Sequence, residues 1–306
     1  MSLLVSVILT NYNYAHFLDS AIESVLKQTY GNFELIVVDD GSSDNSREII
    51  NYYVSKDSRI IPILKKNEGQ ASALNIGFKK SKGEIISFLD SDDIYAPNKL
   101  EEIVKYHSLG YQYIYTDHQG IDVNENFIED NLKRYLYSGW NIFPVYFLSK
   151  YVGNITSTIS ITRNIGKKIF PIPNEDQWKI QADDPIVFQA SFVSSNFFLN
   201  KKLVFYRIHQ SNNYYGKNLC NDYKYKLLIK RNNLKDIIMK KEGISSTFIN
   251  NWWNLVAEFN THEFVDLNLY KMYRNILWFN MNIPFLSKIK AHFELKKRFK
   301  LKYIKN

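Results

Sequence analysis

Three apolar runs of the chain each end in a polar cluster: "VSVILT" (5–10) in "TNYN", "FELIVV" (33–38) in "DDGS", and "EIISFL" (84–89) in "DSDD". Short, unbroken apolar runs rich in β-branched residues suit strands covered on both faces. The segments between them carry helical spacing. Residues 15–28 place Leu18, Ile22, Val25 and Leu26 on one face. The segment after "DDGS" carries Ile49, Ile50 and Tyr53, with Asp44 or Ser43 available as its cap. Residues 69–81 repeat Ala and Leu at helical spacing, and 97–107 read as a helix with proline in its first turn. "RIIPIL" (59–64) is a third strand whose proline suits a sheet edge, and "YQYIYT" (111–116) a fifth. Strand–helix alternation of this kind predicts an α/β fold with a doubly wound, mostly parallel sheet. Ligands of such sheets lie outside the carboxyl ends of the strands. The three clusters are therefore expected on one rim.

"DSDD" crowds Asp90, Asp92 and Asp93 at a strand end, where like charges repel. Such a cluster can hold a divalent cation, share protons as an acid/base pair, or form a solvated turn with Asp93 or Asn98 capping the next helix. Hard oxygen ligands suit magnesium or manganese, which bridge to phosphate oxygens. A cation would also remove the repulsion. With "DDGS" on the same rim, the ligand reading is favoured.

Beyond residue 118 the pattern is less regular. "STISITR" (157–163) and "KLVFYRIH" (202–209) read as strands, and Asp183 and Asp184 precede an apolar helix with Pro185 in its first turn. From 216 the chain turns aromatic, Lys- and Asn-rich and helical, which divides it into a 1–215 α/β domain and a 216–306 helical, basic region. Cys220 is the one cysteine, so an intrachain disulfide and a multi-thiolate zinc site are excluded and a reducing, cytoplasmic setting is expected. No apolar run reaches the roughly 18 residues of a membrane span, and the opening "MSLLVSVILT" reads as a strand rather than a signal peptide. Of the net charge of +8, nearly all sits in residues 280–306, where eight Lys and Arg, Lys305 among them, face the single acid Glu294. Phe285, Leu286, Ile289 and Phe293 fall near one helical face there. A basic amphipathic helix of this kind is either solvated or lies on an anionic surface, here the inner membrane face. No basic groove with spaced aromatics points to a nucleic-acid partner.

The stretch from "VSVILTNYNYAHFLDSAIESVLKQTYGNFELIVVDDGSSD" to "NEGQASALNIGFKKSKGEIISFLDSDD" resembles the family 2 glycosyltransferases with the GT-A fold, near-continuously over residues 4–105, with "ADDPIVFQAS" and "YRIHQSNN" similar to later landmarks. The resemblance implies a nucleotide-sugar donor, with uridine diphosphate as carrier, and manganese or magnesium. It implies inverting transfer of a hexosyl or N-acetylhexosaminyl group to a glycan or lipid-linked acceptor in cell-surface polysaccharide synthesis. Residue by residue it implies Tyr12 packed on the base with Thr10 beside it, Asp40 accepting the base N–H, and Asp90 near the ribose as the first acid of the DxD motif. Asp92 and His209 then hold the cation. The catalytic base falls on Asp176 of "NED" or on Asp183 or Asp184 of "ADD"; the apolar helix favours "ADD", and the spacing to Gln189, where the family often has arginine, leans to Asp183. A helix N-terminus is expected to lower that carboxyl's pKa. Two rivals are a nucleotidyltransferase, against which the lack of a Gly-rich basic loop after the first strand counts, and a non-catalytic sugar-nucleotide or glycan-binding module.

Overall fold

The structure is a computed structural model that describes residues 2–132, 134–210, 212 and 220–303. The first half alternates β1 (Val5–Asn11), α1 (Ala15–Leu26), β2 (Phe33–Asp39), α2 (Ser46–Lys56), β3 (Ile60–Leu64), α3 (Gln70–Lys80), β4 (Ile85–Asp90), β5 (Ile94–Tyr95) and α4 (Lys99–Ser108). There follow β6 (Tyr113–Ile121), β7 (Phe127–Ile128), α5 (Ile142–Leu148), β8 (Ile159–Thr162), α6 (Arg163–Ile169), α7 (Asp183–Val193) and β9 (Asn196–Arg207). Helices α8 (Asn221–Lys241), α9 (Ser246–Ile249), α10 (Trp252–Thr261), α11 (Leu267–Phe279) and α12 (Phe285–Tyr303) complete the described chain.

One sheet runs β3-β2-β1-β4-β8-β6-β9-β5, with β7 beside β6. Its first four strands are parallel, and Pro62 sits on the edge strand β3, where a missing N–H is tolerated. The rest is mixed: β8 inserts antiparallel between β4 and β6, and β9 pairs parallel with β6 and antiparallel with β5. The parallel order extrapolated from strand–helix alternation thus stops at β4, because the irregular stretch after β6 returns a strand to the middle of the sheet. Pro97 also lies one residue before the N-cap position of α4, outside its first turn.

The apolar runs are unbroken because both faces are covered. Val5, Val7 and Leu9 of β1, with Leu35, Val37, Ile85 and Leu89, pack under α1, α2 and α4. Ile8, Ile36, Val38, Ile86 and Phe88 pack on the other face with α3, α6 and α7. The expected boundary after residue 215 falls among residues outside the description, and packing crosses it: Leu234, Ile238 and Ile249 belong to the same core as the second sheet face. A separate cluster joins α5 to α10, α11 and α12 through Phe143, Leu255, Phe259, Leu269, Leu277, and Leu295. No described helix is long and apolar enough to cross a membrane.

Candidate active site

Parallel register brings the three polar clusters level. Thr10 stands opposite Val38 on one side and Asp90 on the other, and Asn11 opposite Asp39. Side chains then stitch the loops together. Asn11 Nδ2 donates to Asp39 Oδ2 at 3.0 Å and to Ser42 Oγ at 3.2 Å. Asn13 takes a positive φ, which an asparagine tolerates, and its Oδ1 accepts from Ser43 N at 2.8 Å. Asp44 accepts from Ser46 N in the first turn of α2 and from Ala15 N in that of α1, so one carboxylate holds two helix starts.

The result is a cleft of about 330 Å³ lined by Thr10, Tyr12, Asp40, Asp90 and Asp92 among others, within the range of small-molecule sites. Tyr12 is half-exposed, free to offer its ring face. Asp40 is buried, and its oxygens already accept from Glu68 N at 3.0 Å, Gly69 N at 2.7 Å and Lys65 Nζ at 2.7 Å. It therefore shapes the loop before α3, whatever else it accepts through a remaining lone pair.

The floor of the cleft includes residues the sequence did not single out. Gln70 Nε2 donates to Asp90 Oδ1 at 3.1 Å, and its Oε1 accepts from Ala182 N at 3.1 Å. The segment 178–181 is strapped to the start of α3, since Gln70 N and Ala71 N donate to Lys179 O and Trp178 O at 2.9 and 3.2 Å. Gly69, at φ +99°, allows that approach: a Cβ there would lie 2.5 Å from Lys179 Cα. Lys179 and Ile180 consequently line the cleft. Nothing local in "WKIQ" signals this, because the approach is made by hydrogen bonds to a helix distant in sequence.

The acids of "DSDD" separate by burial. Asp93 is buried and does not cap α4; it accepts from Ser157 Oγ at 2.5 Å and Arg207 N at 3.1 Å. Burial, with the charges of Asp92 and Asp90, pushes its pKa well up. Asn98 stands at the N-cap of α4 without a side-chain bond. Asp90 is pushed up to about 7, chiefly by burial and then by the charges of Asp92 and Asp183. Asp92 faces the cleft, and pairing of β5 with β9 carries His209 to it, with Nε2 3.1 Å from Asp92 Oδ2. Arg207, also buried, locks this corner by donating to Asp92 O at 2.9 Å and to Glu125 Oε1 at 2.9 Å.

Asp92 and His209 fit a divalent cation. Asn212 Nδ2 lies 3.2 Å from the same imidazole nitrogen that faces Asp92. When that nitrogen is the unprotonated one and its lone pair is turned to Asp92, a ring nitrogen and a carboxylate oxygen 3.1 Å apart face each other, an arrangement that a positive charge between them satisfies. Among the described residues no third His, Cys, Asp or Glu completes a site. Magnesium-type centres commonly take one or two protein ligands and draw the remainder from phosphates and water.

The two aspartates of "ADD" do different things. Both open α7, but Arg231 of α8 holds Asp184, while Asp183 Oδ2 accepts from Tyr151 Oη at 2.7 Å. Asp183 is pushed up to about 6, first by burial and then by the charge of Asp184. The helix N-terminus was expected to lower it; desolvation outweighs the helix dipole here. Asp176 is exposed in a short 3-10 turn, Glu175–Gln177; like Asp183, Asp184 and His209, it is not among the residues that line the cleft. Gln189, buried, spends its amide on Pro185 O at 3.1 Å.

Comparison with known proteins bears on the family and the fold. The family model described as glycosyl transferase family 2 matches residues 6–168. An uncharacterized glycosyltransferase of Nostoc sp. is 36% identical over 217 residues, covering 69% of this chain and 66% of its own length. One of Rickettsia bellii is 45% identical over 141 residues, covering 46% of this chain and 20% of its own. The chain thus spans at most about two thirds of these relatives. Among solved structures, residues 1–349 of Staphylococcus aureus TarS in complex with UDP align at TM-score 0.56 with 16% identity, covering 97% of this chain and 88% of that one. The complex of that protein with UDP-GlcNAc aligns at 0.55 with 17% identity. The shared fold is a GT-A-like α/β sheet with a helical C-terminal region.

Proposed function

The chain belongs to glycosyl transferase family 2, and on that premise we propose that it transfers a sugar, with inversion, from a uridine-diphosphate donor to the hydroxyl of a glycan or lipid-linked acceptor in polysaccharide synthesis. The observation that carries the reading is the split in the "ADD" pair. Asp184 is paired with Arg231, whereas Asp183 has no cation paired with it among the described residues and its charge acts on Asp90 at the cleft.

In this reading the base packs on Tyr12 beside Thr10, with Asp40 at its edge, and the ribose lies by Asp90. Asp92 and His209 would hold manganese or magnesium, which when bound would supply positive charge that stabilises the leaving group. Asp183 takes the proton of the acceptor hydroxyl. The acceptor oxygen forms a bond to the anomeric carbon from the face opposite the diphosphate, the bond from that carbon to the phosphate oxygen breaks, and the nucleoside diphosphate departs with the electron pair. Base catalysis of this kind contributes about 10²–10⁴-fold. TarS structures hold UDP and UDP-GlcNAc, which supports a hexosyl or N-acetylhexosaminyl donor on this carrier.

The test is release of UDP from UDP-sugars in the presence of manganese. Release is expected from the wild-type chain and lost in Asp183→Asn. Release that persists undiminished in Asp183→Asn and in Asp92→Ala would overturn the assignment.

A further inference from the structure

The turn between α11 and α12 presents apolar side chains that the fold does not use. Phe279 is 80% exposed, Met281 88% and Leu286 73%. Beside them runs a chain of rings: Trp278 lies 6.2 Å from Phe285 and 5.9 Å from His292, which lies 6.2 Å from the exposed Phe293. Helix α12 meets the rest of the bundle through another face, with Ala291 and Leu295 buried and the buried Lys288 donating from Nζ to Trp278 O at 3.0 Å. Its outward face is therefore spare. It carries Leu286, Ile289 and Phe293 toward its start, and Lys290, Lys296, Lys297 and Lys300 from its middle onward. These four lysines are exposed and have no acidic partner among the described residues.

We propose that this corner docks on an anionic phospholipid surface, with Phe279, Met281 and Leu286 entering the headgroup–acyl boundary and the four lysines on the headgroups. Both halves of the patch point to that partner. Apolar tips gain from a phase that takes up hydrocarbon, which a purely polar polyanion does not offer. Unpaired lysines gain from a negative surface, each by about fivefold in partitioning. A second copy of this chain suits the patch less well, because a two-fold contact sets the same lysines against themselves.

The experiment is vesicle co-sedimentation of the full chain on phosphatidylcholine alone and on phosphatidylcholine with about one third phosphatidylglycerol. Removing the tail would strip Ala291 and Leu295 from the bundle core, so point substitutions are used. Binding is expected on the anionic vesicles, weakened by salt. Phe279→Ser with Met281→Ser should lower it by about tenfold. Changing Lys290, Lys296, Lys297 and Lys300 to Gln should lower it by at least about tenfold on anionic vesicles and leave neutral ones unchanged. Melting temperature and nucleotide binding, read as controls, should stay at wild-type values because these side chains are exposed and none of them lines the cleft. Equal sedimentation of wild type and both variants would overturn the proposal. So would a lipid-free dimer that the apolar variant dissolves, with no vesicle binding by the wild type.

Discussion

Arg231 grips Asp184 through Nε at 2.7 Å and Nη2 at 2.8 Å, and this pair separates two adjacent carboxylates that the sequence leaves equivalent. Asp184→Asn is expected to cost stability on the order of 3 kcal/mol, since it leaves a mostly buried guanidinium unmatched. Asp183→Asn should leave the melting temperature and UDP binding near wild type while turnover falls by about 10²-fold or more. Thermal unfolding and turnover measured on both variants check this. Asp184→Asn with wild-type stability and abolished turnover would exchange the two roles.

The pKa of Asp183, about 6, sets a pH dependence. A base must be ionised, so kcat/KM should rise about tenfold per pH unit below pH ~6 and flatten above ~7. The Tyr151 hydroxyl favours the ionised carboxylate by donating to it. Tyr151→Phe should therefore move the acid limb to higher pH, leaving the plateau rate reduced but present. An acid limb unmoved in Tyr151→Phe would place the titration on another group, such as Asp90.

How far the sequence carries can be followed through single residues. The strand ends at Thr10, Asp40 and Asp90 are legible because unbroken apolar runs mark doubly covered strands, and parallel strands in register must present their ends together. Pro62 as an edge proline is legible for a local reason; Asp44 stands one residue before the N-cap position of α2, Asn45, and accepts from Ser46 N and Ala15 N instead of capping from the N-cap. The alternative of a solvated turn with Asp93 as a cap does not hold, since the groups that bury it, Ser157 and Arg207, come from residues far along the chain. Gln70 and Lys179 are silent because their roles depend on contacts between α3 and a strap more than a hundred residues later. The insertion of β8 beside β4 is likewise a tertiary choice with no local signature.

The strap makes its own prediction. Gly69→Ala would force a Cβ into Lys179 and hold an L-residue at positive φ, at a cost of about 1 kcal/mol or more in backbone strain. The segment 178–181 should be displaced, weakening UDP binding more than it lowers the melting temperature. Gln70→Ala should act in the same direction by freeing both Asp90 and Ala182 N. Calorimetric titration with UDP checks both, and tight UDP binding by Gly69→Ala would show that the strap does not shape the donor cleft.

Asp92 and Asp93 are neighbours with opposite environments, and substitution should separate cation binding from folding. For wild type, UDP at a hundred times its Kd should stabilise the fold by about 2.7 kcal/mol, and chelation of manganese should remove most of that gain. Asp92→Ala should melt near wild type without ligand, yet lose the manganese-dependent gain, and His209→Ala should lose part of it. Asp93→Ala should instead lower stability outright, because it strips a buried hydroxyl, Ser157 Oγ, and the buried Arg207 N–H of their acceptor. Thermal shift with and without manganese distinguishes the two. A manganese-dependent shift retained by Asp92→Ala would remove Asp92 from the cation, and the cleft's metal would then have to be sought on Asp90.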